Sequence, residues 1–137
     1  MIPVRLESSR MPEKALVDIL GLPMIIHTFK RTSFAKSLDD IYVVTDSEVI
    51  KKLVELHQGK VIMTNKSHKT GSDRLAEAAK YVDADIIVNI QGDEALVDPG
   101  HIDASVKGLV ESSAEVAILI TPFKKKQSYS DIKVVVN

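Results

Sequence analysis

The sequence predicts an α/β fold with a doubly wound, Rossmann-like, mostly parallel sheet, and three observations carry that prediction. Short apolar runs alternate with segments of helical spacing along all 137 residues. The runs are apolar throughout rather than alternating with polar residues, as strands covered on both faces are. Charged and polar clusters follow successive predicted strands, at the edge where such sheets bind ligands.

The chain opens on a short apolar start that ends at Pro3. A loop follows with Arg5, Arg10 and Lys14, and with Ser8 and Ser9 between them. Pro12 stiffens it by fixing φ. Pro23 suits the first turn of a helix running to Lys36, where its missing N–H costs nothing; Met24, Ile25, Thr28 and Phe29 form its apolar side. Residues 41–44 are β-branched and aromatic, hence a strand. Asp46 or Ser47 caps the next helix, in which Val49, Ile50, Leu53, Val54 and Leu56 recur at helical spacing until Gly59. Residues 61–63 make another short strand. The polar loop TNKSHKTGS leads into a helix beginning at Asp73 and running through Leu75, Ala76, Ala79 and Val82. Residues 86–90 are a strand interrupted only by Asn89. Pro99 starts a helix through Ile102, Val106, Leu109 and Val110, and residues 116–120 and 132–136 supply the last strands.

Composition narrows the function. Eighteen basic against 19 acidic residues give a net charge of −1, without the basic excess of a nucleic-acid binder. With no cysteine, disulfides and thiolate metal sites are excluded. No apolar run is long enough for a membrane span and no leader pattern is seen, so a soluble cytoplasmic protein is the default expectation. One domain over residues 1–137 follows from the length. His27, His57, His68 and His101 are too scattered for metal-ligand spacing. Walker A and G-x-G-x-x-G sequences are absent, which disfavours a P-loop NTPase and a dinucleotide dehydrogenase.

Four clusters fall on the predicted binding edge: 5–14, Thr45-Asp46, 64–74 and Gln91-Gly92-Asp93-Glu94. Arg forks and Lys point charges suit phosphate oxygens. Asp93 and Glu94, directly after the most apolar strand, are placed for Mg²⁺, which takes one or two carboxylates and completes its shell with water and phosphate. Gly92 would let a ligand approach the backbone. In TGSDR, a helix start offers free N–H groups to a polar ligand, although Asp73 equally serves as a plain helix cap. His68 lies in the polar loop, within reach of a ligand.

The stretches IPVRLESSRMPEKAL, DILGLPMIIHT, VVTDSEVI, MTNKSHKTGSDRLAEA, IIVNIQGDEALVDP and DIKVVVN together resemble the 3-deoxy-manno-octulosonate (Kdo) cytidylyltransferases, the CMP-Kdo synthetases. The resemblance implies a GT-A-like nucleotidyltransferase fold. It also implies a reaction: the anomeric 2-hydroxyl of Kdo attacks the α-phosphate of CTP, giving CMP-Kdo and pyrophosphate for lipopolysaccharide synthesis, with Mg²⁺ as cofactor. By this resemblance Arg5, Arg10 and Lys14 hold the triphosphate, Ser9 adds a hydroxyl, and Asp93 is a Mg²⁺ ligand. Arg74, with Thr45 and Asp46 nearby, faces the cytidine; Gln91 lies between nucleotide and sugar, and Gly92 is counted with the nucleotide-binding residues. The family also implies a homodimer. Ala95 stands where the family usually has Pro, and Ala15 where it commonly has Pro or another apolar residue. The family's chains are nearly twice as long, so a truncated N-terminal portion is expected, one that binds CTP weakly and does not turn over. The alternatives are an inactive nucleotide-binding fragment and a cytidylyltransferase for another ulosonic acid, 8-amino-Kdo or sialic-acid-like.

Overall fold

In the computed structural model, residues 1–6 and 11–120 are described. Ser9, Arg10 and the predicted strand at 132–136 lie outside them. Three parallel strands form the main sheet: β1 (Ile2–Pro3), β4 (Tyr42–Thr45) and β5 (Lys60–Met63), in the order β1-β4-β5. Ile2 pairs with Val43, and Val43 in turn with Val61. Between β1 and β4 come an antiparallel hairpin, β2 (Asp18–Ile19) with β3 (Leu22–Pro23), and helix α1 (Met24–Thr32). Helix α2 (Glu48–Leu56) joins β4 to β5; α3 (Gly71–Ala78) and α4 (Pro99–Val110) follow.

The expected strand at 86–90 is not a regular strand, but its backbone does lie along β1. The Met1 amino group donates to the Val88 carbonyl at 2.7 Å, and the Ile90 N–H donates to the Met1 carbonyl at 3.1 Å. That is a parallel pairing pattern, on the side of β1 away from β4. It stops after two bonds because the next donor position on this edge belongs to Pro3, which has no N–H. The lateral order is therefore 88–90, β1, β4, β5, so the order of succession reverses beside β1. The expected strand at 116–120 is likewise not formed among the described residues: no described backbone bonds to it, and Val116, Ile118, Leu119 and Ile120 are exposed.

Both faces of the sheet are covered. Successive residues of a strand point to opposite faces. Val43 joins Ile2, Val4, Ile25, Ile26, Ile50, Val54 and Ile102 on one side, and Val44 joins Leu75 and Ala78 on the other. Helices α1, α2 and α4 thus cover one face and α3 the other, which is the doubly wound arrangement.

Local chemistry explains the element ends. Ser47 caps α2 by accepting from the Ile50 N–H. Gly59 follows it, because a Cβ there would meet Val54 Cγ1 at 2.5 Å. Helix α1 ends at Thr32, four residues before the expected Lys36. Asp103 of α4 accepts from the N–H groups of Lys36 and Ser37 and from the Ser37 hydroxyl, drawing those residues out of helical geometry. These bonds hold the Asp103 carboxyl below its ordinary range, the Ser37 hydroxyl contributing most. Helix α3 starts two residues earlier than expected. Thr70 is its N-cap, and Asp73 closes a capping box by accepting from the Thr70 N–H and hydroxyl. Accordingly the Asp73 carboxyl is held below its ordinary range, chiefly by the Thr70 hydroxyl.

Candidate functional site

Where the strand order reverses, the loops leaving β1 and residues 88–90 diverge and leave a crevice, and ligands bind in such crevices. A cleft of about 250 Å³ lies there. Arg5, Lys14, His68, Thr70, Gly71, Arg74, Gln91, Gly92 and Asp93 line it, with Pro3, Val4 and Ala15 as its apolar floor. Segments far apart in sequence, after β1, after β5 and after residue 90, thus meet in one place.

Lys14 sits on a short 3-10 turn (Lys14–Leu16), and its Nζ donates to Asp93 Oδ2 at 2.5 Å across the cleft. Both side chains are part-exposed. Arg5 is exposed at the rim.

Arg74 differs in being buried, only 3% exposed. Its guanidinium donates to Thr64 Oγ1 at 2.5 Å and to Asp46 Oδ2 at 2.8 Å. The first turn of α3, begun by the Thr70 cap, turns this side chain inward rather than to solvent. A buried guanidinium needs such partners, since an unpaired buried charge is strongly disfavoured.

Thr45 and Asp46 do not line the cleft. Thr45 is fully buried; its hydroxyl accepts from the Ser47 N–H, and its carbonyl accepts from the Thr64 N–H and hydroxyl. Asp46 reaches the site through Arg74. Gln91 and Gly92 do line it, and Gly92 has a packing reason of its own. A Cβ there would stand 3.0 Å from both the Pro3 carbonyl oxygen and Val4 Cβ. The close approach that glycine permits here is that of the chain's own first strand. Glu94 does not line this cleft; it borders an adjoining apolar groove with Leu96 and Val97, which Asp93 borders as well.

His68, which the sequence marks only as a loop residue within reach of a ligand, stands at the cleft wall, and its Nε2 is bonded to Glu77 Oε2. Glu77 also accepts from the Asn65 N–H at 3.0 Å. Its carboxyl is held below the ordinary range by the His68 contact first and the Asn65 N–H second. This pins the 65–70 loop to α3. The nine-residue separation of His68 and Glu77 spans loop and helix, so no spacing rule exposes it.

A metal is testable against the donor set. Asp93 is the one carboxylate among the described residues lining the cleft. Nowhere among the described residues do three His, Cys, Asp or Glu side chains converge. Such a set fits a cation that takes one protein carboxylate and completes its shell with phosphate oxygens and water, as Mg²⁺ does.

The fold and cleft define a class: a doubly wound α/β protein with cationic side chains gathered at its switch point. The chain belongs to the cytidylyltransferase family, which it matches over residues 1–136. It is 46% identical over 114 residues to the 3-deoxy-manno-octulosonate cytidylyltransferase of Geobacter metallireducens, covering 83% of this chain and 45% of that one. With the enzyme of the same name from Syntrophobacter fumaroxidans the identity is 44% over 139 residues, covering 98% and 56%. Its structure resembles that of a CMP:2-keto-3-deoxy-manno-octonic acid synthetase complexed with CTP, with a TM-score of 0.80 and 39% identity over 82% of this chain and 47% of the other. A cytidylyltransferase from Leptospira borgpetersenii shares the fold at a TM-score of 0.73 and 24% identity, over 82% of this chain and 48% of that one. The chain spans about half the length of the curated relatives it matches. Among the described residues, no helix is long and apolar enough to cross a membrane.

Proposed function

We propose that this chain is the nucleotide-binding part of a cytidylyltransferase that transfers CMP from CTP to the 2-hydroxyl of 3-deoxy-D-manno-octulosonate, releasing pyrophosphate. The observation that carries the reading is the meeting of Arg5, Lys14, Arg74 and Asp93 in one cleft at the reversal of strand order. Family membership, and a similar structure described as complexed with CTP, support the nucleotide. The relatives named as 3-deoxy-manno-octulosonate cytidylyltransferases support the acceptor.

Nucleotidyl transfer places negative charge on the departing pyrophosphate, so positioned cations contribute more than a protein nucleophile does. In this proposal Arg5 and Lys14, with Arg10 and Ser9 from the preceding loop, bind the triphosphate oxygens. Asp46 and Thr64 hold the Arg74 guanidinium, which is thereby ready for the nucleotide without ordering cost on binding. Gln91 and Gly92 border the space between nucleotide and acceptor. Asp93 would be the protein ligand of Mg²⁺, which when bound supplies charge neutralisation at the phosphates.

Calorimetric titration with CTP, UTP, ATP and GTP in the presence of Mg²⁺ tests this. CTP is expected to bind in preference to the others, and Asp93→Ala to weaken it. Equal affinity for all four, or none for CTP, would overturn the reading. The acceptor is tested separately, by pyrophosphate release from a protein of the relatives' full length carrying this chain, with Kdo, 8-amino-Kdo and a sialic acid.

A further inference from the structure

We propose that the Lys14–Asp93 ion pair is a latch that excludes divalent cations from the cleft until a nucleoside triphosphate arrives; this rests on the nucleotide-binding reading above. The ammonium lies 2.5 Å from the carboxylate oxygen, in direct contact where a cation would otherwise coordinate. Its two halves come from different walls, 79 residues apart in sequence, so the contact closes the cleft from loop to loop. It is also a contact that opens readily. The two side chains are 37% and 48% exposed, and ion pairs at that exposure are weak.

The charge around the pair points the same way. Arg5 and Lys14 line the cleft, and the Arg74 guanidinium there is already matched by Asp46. A bare divalent cation therefore meets positive charge and a carboxylate that Lys14 has already neutralised. At about 4 Å, even with the dielectric of water, one ammonium disfavours a divalent cation by roughly thirtyfold in binding. A triphosphate reverses this balance. Its oxygens draw Lys14 away from Asp93, and its charge brings a cation with it. The carboxylate is then released to that cation at the moment the nucleotide binds. Nucleotide and metal enter together, and metal does not enter first.

The test uses Mn²⁺ alone, titrated into the full chain without nucleotide, with free Mn²⁺ read by electron paramagnetic resonance. The unsubstituted chain should bind Mn²⁺ weakly. Lys14→Gln should bind it about tenfold more tightly or better, and adding Asp93→Asn should abolish the gain. Lys14→Met repeats the comparison if circular dichroism shows Lys14→Gln to be unfolded. Equal Mn²⁺ affinity with and without the lysine charge would overturn the latch. So would a gain that survives Asp93→Asn, because the cation would then lie elsewhere. CTP titrated in the presence of Mg²⁺, run beside it, reports on the nucleotide reading by itself: absence of CTP binding to the unsubstituted chain rejects that reading, whereas an unchanged Mn²⁺ affinity with CTP binding intact rejects only the latch.

Discussion

Arg74 has two duties in one guanidinium: it lines the cleft and it neutralises the largely covered Asp46. Removing it should be felt twice. Arg74→Ala leaves Asp46 without its cation and should lower unfolding free energy by about 2–4 kcal/mol in urea titration, besides weakening CTP. Arg74→Lys keeps the charge but cannot bond Thr64 and Asp46 together as a planar fork, so it should restore only part of each. The Met1 amino group is a second residue with a measurable signature. Burial against Val88 pushes its pKa from 8.0 down to about 6. Between those values the unfolded chain binds the proton and the folded chain does not, so stability should rise as pH goes from 6 to 8. The expected gain is about 2–3 kcal/mol. Acetylation keeps an N–H for the Val88 carbonyl and removes the titration, so the acetylated chain should show no such slope in denaturant midpoints over this range.

At the scale of elements, two local devices make opposite predictions. The capping box of α3 presents Gly71, Arg74 and the first turn to the cleft. Thr70→Ala removes the hydroxyl that accepts from the Asp73 N–H and donates to the Asp73 carboxylate, leaving the backbone N–H bond, and should cost about 1 kcal/mol. Because that turn carries Arg74, the same variant should also weaken CTP. The β2–β3 hairpin is less well matched to its residues. Leu20 and Gly21 turn it with φ of 52° and 85°, and Leu20 is 97% exposed. Glycine accepts positive φ freely; leucine does not, and it buries nothing in return. Leu20→Asn should therefore raise stability by about 0.5–1 kcal/mol in thermal or urea melts, asparagine being favoured at that turn position.

Across the whole molecule, the chain has a net charge of −1 yet gathers Arg5, Lys14 and Arg74 in one crevice. Attraction of a polyanion to that crevice is a local field effect, screened over about 10 Å at 0.1 M salt. CTP affinity should accordingly fall several-fold between about 0.05 and 0.2 M NaCl, with little change in melting temperature because the core is apolar. An affinity insensitive to salt would mean that base contacts outweigh phosphate contacts. The architecture also explains why Gly92 matters beyond its own loop. Gly92→Ala presses on Pro3 and Val4 of the first strand, and should destabilise by about 1–3 kcal/mol while shifting Asp93.

Much of this was legible in the sequence, and the physical reason is that the legible features depend on neighbours in the chain. Apolar spacing and a serine cap suffice for α2, and β-branched runs place β4 and β5 to within a residue of 42–45 and 60–63. Pro99 marks the first residue of α4 because only its own missing N–H is at issue. The charged clusters suggest the proposed polyanion site for the same reason: side-chain chemistry is a property of each residue. Tertiary structure decided the rest, because it depended on which distant groups met. The Arg74 guanidinium points inward because Asp46 and Thr64 are there to receive it. Of Asp93 and Glu94, adjacent in sequence, Asp93 lines the cleft and Glu94 does not, in a loop that packs against the first strand through Gly92. Helix α1 stops early because Asp103, some 66 residues on, takes its would-be continuation. The backbone at 88–90 becomes only a partial strand because Pro3 offers no further donor. Periodicity and capping are written locally, whereas orientation, pairing and strand order come only from contacts between segments far apart in the chain.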